Sequence, residues 1–222
     1  MPRRAGREPL TRDRVVTAAL EVIDRDGLDA LSMRRLGSEL GVDPMAVYHH
    51  VPNKDALLHE VVRQVFAAMA TPPARGTWQA RVKRWARTYR SVAEAHPNLV
   101  LRIVSDPVAV AVAAVQVNEA LFAALDASGL APSDVLRAAD LTVDYVHGYA
   151  LGWAEPAGVH ADAVAAFQAE LDAQPADSVA VQRRLFAAEA ETTRDSFTFG
   201  LDIILAGLAQ RIGANGASPA GS

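Results

Sequence analysis

Apolar positions along this chain recur at steps of three and four, and alternation in twos is rare. The pattern predicts helices throughout and no sheet. Between Thr11 and Gly27, the residues Val15, Val16, Ala19, Leu20 and Ile23 share one face of a 3.6-residue period. Thr11 is placed to cap this helix and Gly27 to end it. Ser32 opens a second helix that runs to Leu40, with Met33, Leu36 and Leu40 inward, and Gly41 makes a turn. Asp43 followed by Pro44 is a cap with proline at the first helical position, predicting a brief third helix from Pro44 to His50 that Pro52 stops. Asn53 can cap a fourth helix, Lys54 to about Ala70.

The stretch 71–77, TPPARGT, is the clearest break. Beyond it the periodicity predicts helices at Trp78–Ala95, Pro97–Val104, Val108–Ser128, Ser133–Ala154, Ala161–Asp172, Val179–Leu185 and Ala188–Ile212, separated by proline and glycine. Residues 1–10 are expected to be a flexible basic arm, and 213–222, small and polar, a disordered tail.

Two of the later helices carry more apolar surface than one core face needs. Leu136, Ala139, Val143, Val146, Ala150 and Trp153 step by three and four, like a coiled-coil seam, while Leu141, Tyr145 and Tyr149 occupy another face. In the last helix the stripe is 197, 201, 204, 205, 208 and 212, with Gly200 and Gly207 leaving room for a neighbouring helix. Helices of this kind are buried on several sides. They predict a homodimer through helices at about 133–154 and 188–212, two from each subunit, with packing inside one chain as the alternative.

Composition narrows the function. The chain has 222 residues, half of them hydrophobic, and no cysteine, which removes disulfides, zinc–thiolate sites and thiol catalysis. No apolar run approaches the ~20 residues of a membrane span and there is no signal-peptide pattern, so a cytoplasmic protein without membrane association is expected. The net charge of −4 does not by itself announce nucleic-acid binding. Residues 1–14 are locally basic, with five arginines against Glu8 and Asp13. Any DNA affinity must come from a focused patch.

Residues 31–58 supply that patch. Two short helices around a Gly turn, followed by an aromatic–basic cluster, have the sequence form of a helix-turn-helix DNA reader. Pro44, Met45, Ala46 and His49 on the third helix are candidates for base-edge contact, and Arg34 for a bidentate contact to guanine. Ser32, Tyr48, His50 and Lys54 are candidate phosphate contacts. Tyr48 packing on its neighbours, and Arg34 with Arg35 forming a solvated face, are the alternatives. Metal binding is not expected at His49 and His50, whose side chains point about 100° apart on a helix.

The segment from about 11 to 60 resembles the N-terminal domain of the tetracycline-repressor (TetR-type) family of bacterial transcriptional regulators. The resemblance rests on Leu36, Leu40, Gly41, Val42, Val47, Tyr48, His50, Val51, Asn53, Lys54, Leu57 and Leu58. The FTFGLD…GL pattern from Phe197 is similar to the C-terminal domain of the tetracycline-repressor subgroup. The resemblance implies an all-α homodimer: a three-helix DNA-binding domain at 11–53, a connecting helix at 54–70, and a larger helical-bundle effector-binding and dimerisation domain at 71–212. It implies phosphate contact by Tyr48, His50 and Lys54, and base contact by Arg34 and the exposed face of Pro44 to His49. Pro44 and Met45 stand where many members carry polar readers, which favours contact with thymine methyl groups there.

An effector pocket is expected among the middle helices, mostly apolar with a few placed polar groups. Its candidates are Trp85, Tyr89, His96, Arg102, Gln116, His147 and Trp153, with Asn98 also polar in an apolar context. His96 resembles the position of a ligand-contacting His in the tetracycline subgroup. No His lies between it and His147, so metal–tetracycline recognition is not expected. With no nucleophile elbow, phosphate-cradling loop or metal-spaced His/Glu set, the chain is expected to be no enzyme and to need no cofactor. The expected function is a ligand-responsive regulator, a repressor released from a palindromic DNA operator by a small-molecule effector. The alternative is a helical small-molecule-binding protein without a transcriptional role.

Overall fold

A computed structural model describes residues 9–67, 69, 75–100, 111, 115, 117–153, 157–189 and 195–216. Every regular element among the described residues is helical. The labelled helices are α1 (Arg12–Asp26), α2 (Met33–Leu40), α3 (Pro44–Tyr48), α4 (Lys54–Ala67), α5 (Trp78–Ala95), α6 (Glu119–Asp126), α7 (Pro132–Trp153), α8 (Ala157–Ala173), α9 (Ala180–Glu189) and α10 (Ser196–Gly216). Short 3-10 turns lie at Leu28–Ala30 and Ala176–Ser178. Two compact units emerge. One comprises Met1–Pro73 with Ser91–Leu121, the other Ala74–Arg90 with Phe122–Ser222. The boundary is therefore not a single point in the sequence.

In the first unit, local chemistry sets each helix end. The hydroxyl of Thr11 accepts from Arg14 N, that of Ser32 from Arg35 N, the Asp43 carboxylate from Met45 N, and the Asn53 amide oxygen from Ala56 N. Each satisfies a backbone N–H that the helix cannot. Val15, Ala19 and Ile23 of α1, Leu36 of α2, Val47 of α3, and Leu57 and Val61 of α4 are fully buried. A buried aliphatic side chain of this size contributes about 1.5–3 kcal/mol. Gly41 closes α2 with a φ of 62°, the left-handed region that favours glycine.

Gly37 explains how α3 comes so close to α2. A Cβ there would lie 3.1 Å from Val42 O and 3.2 Å from Pro44 N and Cα, all backbone atoms. Gly37→Val is therefore expected to cost about 1–3 kcal/mol by overpacking. The denaturant midpoint reads this; an unchanged midpoint would mean that the turn yields freely.

In the second unit α7 packs on α10. Val135, Ala138, Ala139, Val146 and Ala150 are buried on α7, and Phe197, Leu201 and Leu205 on α10. The Tyr145 hydroxyl donates to the carbonyls of Phe197 (2.9 Å) and Ser196 (3.1 Å). The Asp134 carboxylate accepts from Arg211 (3.0 Å) and Arg137 (3.1 Å), and the Arg211 hydrogen bond leads in holding it below the usual carboxylate range. Helices α8 and α9 form a hairpin. The Arg183 guanidinium donates to the carbonyls of Leu171, Asp172 and Gln174, and the Phe167 and Phe186 rings meet at 4.9 Å.

Several expectations are corrected here. The last helix does not begin at Ala188: residues 188 and 189 finish α9, and α10 starts at Ser196 because Asp195 accepts from the N–H of Thr198. It also runs past Ile212 to Gly216, so 213–216 are helical and not part of a disordered tail. Helix α8 begins at Ala157, before the expected Ala161, since one glycine in the first turn of an alanine-rich helix is tolerated. Ala139, Val146 and Ala150 of the seam on α7, and 197, 201 and 205 of the stripe on α10, are consumed within the chain. The space beside Gly200 is filled by the Tyr145 ring of the same chain. The arm at 1–8, the end of the expected Pro97–Val104 helix and the tail at 217–222 lie outside the described residues.

Candidate nucleic-acid interface and effector region

The first unit presents a short helix anchored from beneath. Val47 and Val51 are fully buried, so the rest of the 44–50 turn faces outward. Met45 is 63% exposed and Tyr48 44%; His49 is exposed, and Pro44, Ala46 and His50 are half-buried. Met45 and Tyr48 thus stand out from a five-residue helix. They offer apolar surface and a phenol to a partner.

The two adjacent arginines of α2 differ in their commitments. Arg35 is held by Asp26 (3.1 Å) and Glu39 (2.9 Å), and Arg25 joins the same carboxylates at 2.8 and 2.7 Å. The Arg25 hydrogen bond leads in pushing the Asp26 pKa below the ordinary carboxylate value. Arg34 is exposed, and among the described residues its guanidinium has no ion-pair partner. It borders a depression of about 500 Å³ shared with Ala30, Ser32, Arg35, Ser38 and Glu39. Ser32 uses its oxygen as an acceptor for the α2 cap, which leaves the hydroxyl proton to donate. The Lys54 ammonium donates to the Leu28 carbonyl at 3.3 Å, fixing it at the start of α4, where backbone N–H groups lack helical partners.

The effector candidates separate. His96 and Asn98 belong to the first unit and hold the end of α1: His96 Nδ1 lies 2.8 Å from Asp24 Oδ2, and Asn98 Nδ2 donates to the Ile23 carbonyl at 3.0 Å. Trp85, Tyr89 and His147 come together in the second unit. The Trp85 and Tyr89 rings are 5.4 Å apart, and Tyr89 Oη lies 2.5 Å from His147 Nε2. Trp85 and Tyr89 are 1% and 4% exposed, so they are core residues in this state, whereas His147 reaches the surface of the cluster. Burial pushes the Tyr89 pKa up and that of His147 down. Arg102, Gln116 and the Trp153 side chain lie outside the described residues.

Sequence reasoning missed three things. The pairing of His96 with Asp24 joins residues 72 positions apart and has no periodic signal. The tether from Lys54 to Leu28 was missed for the same reason. The outer face of α10, with Phe199 and Ile203 at 62% and 60% exposure, lies outside the predicted stripe. Among the described residues no helix is long and apolar enough to cross a membrane, and no group of three or more His, Asp or Glu is placed to hold a metal ion.

Comparison with known proteins finds matches in both the N-terminal and the C-terminal part of the chain. Residues 15–61 match the family described as bacterial regulatory proteins, tetR family, and residues 71–212 the tetracyclin repressor-like C-terminal domain. An HTH-type transcriptional regulator of Saccharopolyspora erythraea is 32% identical over 208 residues, spanning 92% of this chain and 86% of the relative. Among solved structures, ligand-free ActR from Streptomyces coelicolor aligns with a TM-score of 0.74 at 35% identity, covering 94% of this chain and 99% of that one. ActR in complex with actinorhodin gives 0.70 at 33%, covering 93% and 100%. BioQ with its double-stranded DNA operator gives 0.61 at 28%, covering 90% and 99%, as does BioQ of Mycobacterium smegmatis.

Proposed function

We infer how this chain acts from the family to which it belongs, the tetracycline-repressor (tetR) family of bacterial regulatory proteins. It is a ligand-responsive DNA-binding transcriptional regulator, a repressor that a small-molecule effector releases from its operator. The observation that carries the DNA half of this reading is the outward set on α2 and α3: Ser32, Arg34, Met45, Tyr48 and His49, exposed above buried Leu36 and Val47. A helix this short reaches few base edges. Two copies related by a two-fold axis read a palindrome and roughly double the discrimination.

In this reading Arg34 contacts guanine, while Pro44, Met45, Ala46 and His49 face base edges, with Met45 suited to thymine methyl groups. Ser32, Tyr48, His50 and Lys54 fix the register on phosphates. The dimer forms through α7 and α10, whose Leu136, Leu141, Phe199 and Ile203 are half or more exposed in the protomer. Effector binding in the C-terminal half moves α4, which changes the separation of the two recognition helices. The effector acts only through its differential affinity for the two arrangements. Solved relatives bound to actinorhodin and to a DNA operator support both halves of the cycle.

Selection from random duplex DNA with the purified protein tests the reading. A palindromic consensus is expected, and failure to enrich any sequence would sink it. Lys54→Ala is expected to weaken all sequences alike and to lower the salt slope by about 1 per subunit. A change confined to one base position would make Lys54 a reader instead.

A further inference from the structure

We propose that His147, its ring held by Tyr89, presents its Nδ1–H as a hydrogen-bond donor to the effector, and that the effector carries an acceptor oxygen or nitrogen at that point. The inference rests on the reading of the C-terminal half as the effector domain.

The proton positions follow from the chemistry of the pair. Tyr89 Oη and His147 Nε2 share one proton across 2.5 Å. A phenol O–H is a stronger acid than a neutral imidazole N–H, and an imidazole nitrogen is a stronger base than a phenol oxygen. Tyr89 therefore donates and Nε2 accepts. Burial favours the uncharged form of both groups, against a smaller opposing pull on His147 from Asp144, one turn back on α7. With Nε2 occupied as an acceptor, the one ring proton of His147 sits on Nδ1.

That donor is left over. Among the described residues His147 makes no hydrogen bond other than that to Tyr89, and its side chain is half-buried, in contrast to the buried Tyr89 and Trp85. Tyr89 is locked against Trp85, so the imidazole is held by a rigid floor and its N–H direction is set before any ligand arrives. A preorganised neutral donor beside buried aromatic rings selects for an uncharged or anionic acceptor on an apolar body. Asp144 is exposed, and no buried carboxylate accompanies the pair among the described residues, so nothing here favours a cation.

A matched pair of probes tests this: 9-fluorenone, with one ring carbonyl, and fluorene, the same frame without it. Wild-type protein is expected to bind fluorenone about three- to tenfold more tightly than fluorene, the worth of one neutral hydrogen bond. His147→Phe is expected to erase the difference while leaving fluorene affinity in place. Long-range 15N–1H correlation in the ligand-free protein should put the His147 proton on Nδ1, and Tyr89→Phe should restore a mixture of tautomers. Equal affinities in wild type, no binding of either probe, a preference that survives His147→Phe, or a proton on Nε2 would each overturn the proposal. Operator binding in the same samples keeps the two readings apart. If fluorenone releases DNA without being preferred over fluorene, the effector site stands and the donor falls. If the preference is present and saturating fluorenone leaves DNA affinity unchanged, the donor stands and its regulatory role falls.

Discussion

Phe199→Glu combined with Ile203→Glu is expected to yield a folded monomer that binds its operator about a thousandfold more weakly. The two side chains lie one turn apart on the outer face of α10, 62% and 60% exposed. The opposite face, Phe197, Leu201 and Leu205, is buried against the same chain, so the substitutions leave the protomer core alone. In a dimer through this face, two carboxylates per subunit would be desolvated without partners, at a cost of several kcal/mol per ion. A monomer engages one half-site, and its affinity falls towards the sequence-independent range. Specific complexes have dissociation constants of about 10⁻⁸–10⁻¹¹ M, and non-specific ones about 10⁻⁴–10⁻⁶ M. Sedimentation equilibrium reads the oligomer, circular dichroism the retained helix, and titration of the selected operator the affinity. A dimer of unchanged strength in the double variant would remove α10 from the interface.

The outer face of α10 shows where the sequence stops being legible. A helix apolar on two sides has two candidate stripes, and periodicity cannot say which belongs to the same chain. The predicted stripe was the inner one, so the residues best placed for a partner were those it left out. Features settled within a few residues were read well: caps at Thr11, Ser32, Asp43 and Asn53, the turn at Gly41, and α2 and α5 with the expected limits. Their signals are local hydrogen bonds and backbone preferences. The start of α10 was missed although Asp195 is a good cap and 191–196, ETTRDS, carry no apolar residue; no proline or glycine marks the break there. Long-range polar pairing was missed altogether. Nothing near His96 points to Asp24, and nothing near Trp85 distinguishes a ligand wall from the buried floor it forms in this state.

Arg34→Ala is expected to relax base preference at one position in each half-site and to weaken the selected operator by about 2–6 kcal/mol, that is, ~1–3 kcal/mol for each lost bidentate guanine contact. The expectation turns on how α2 divides its charges. Arg35 is spent on Asp26 and Glu39, so its removal loosens a solvent-exposed network worth about 0–1 kcal/mol and leaves specificity intact. Arg34, exposed beside Ser32 and without an ion-pair partner among the described residues, keeps all its N–H donors for DNA. Arg34→Lys should not restore the preference, because an ammonium lacks the planar fork that matches two acceptors on one base. The pattern separates it from Lys54, whose loss lowers affinity uniformly. Binding-site selection repeated with Arg34→Ala, Arg34→Lys and Arg35→Ala decides the matter. If the consensus changes only for Arg35→Ala, then Arg35 leaves its carboxylates on binding, and the reading role passes to it.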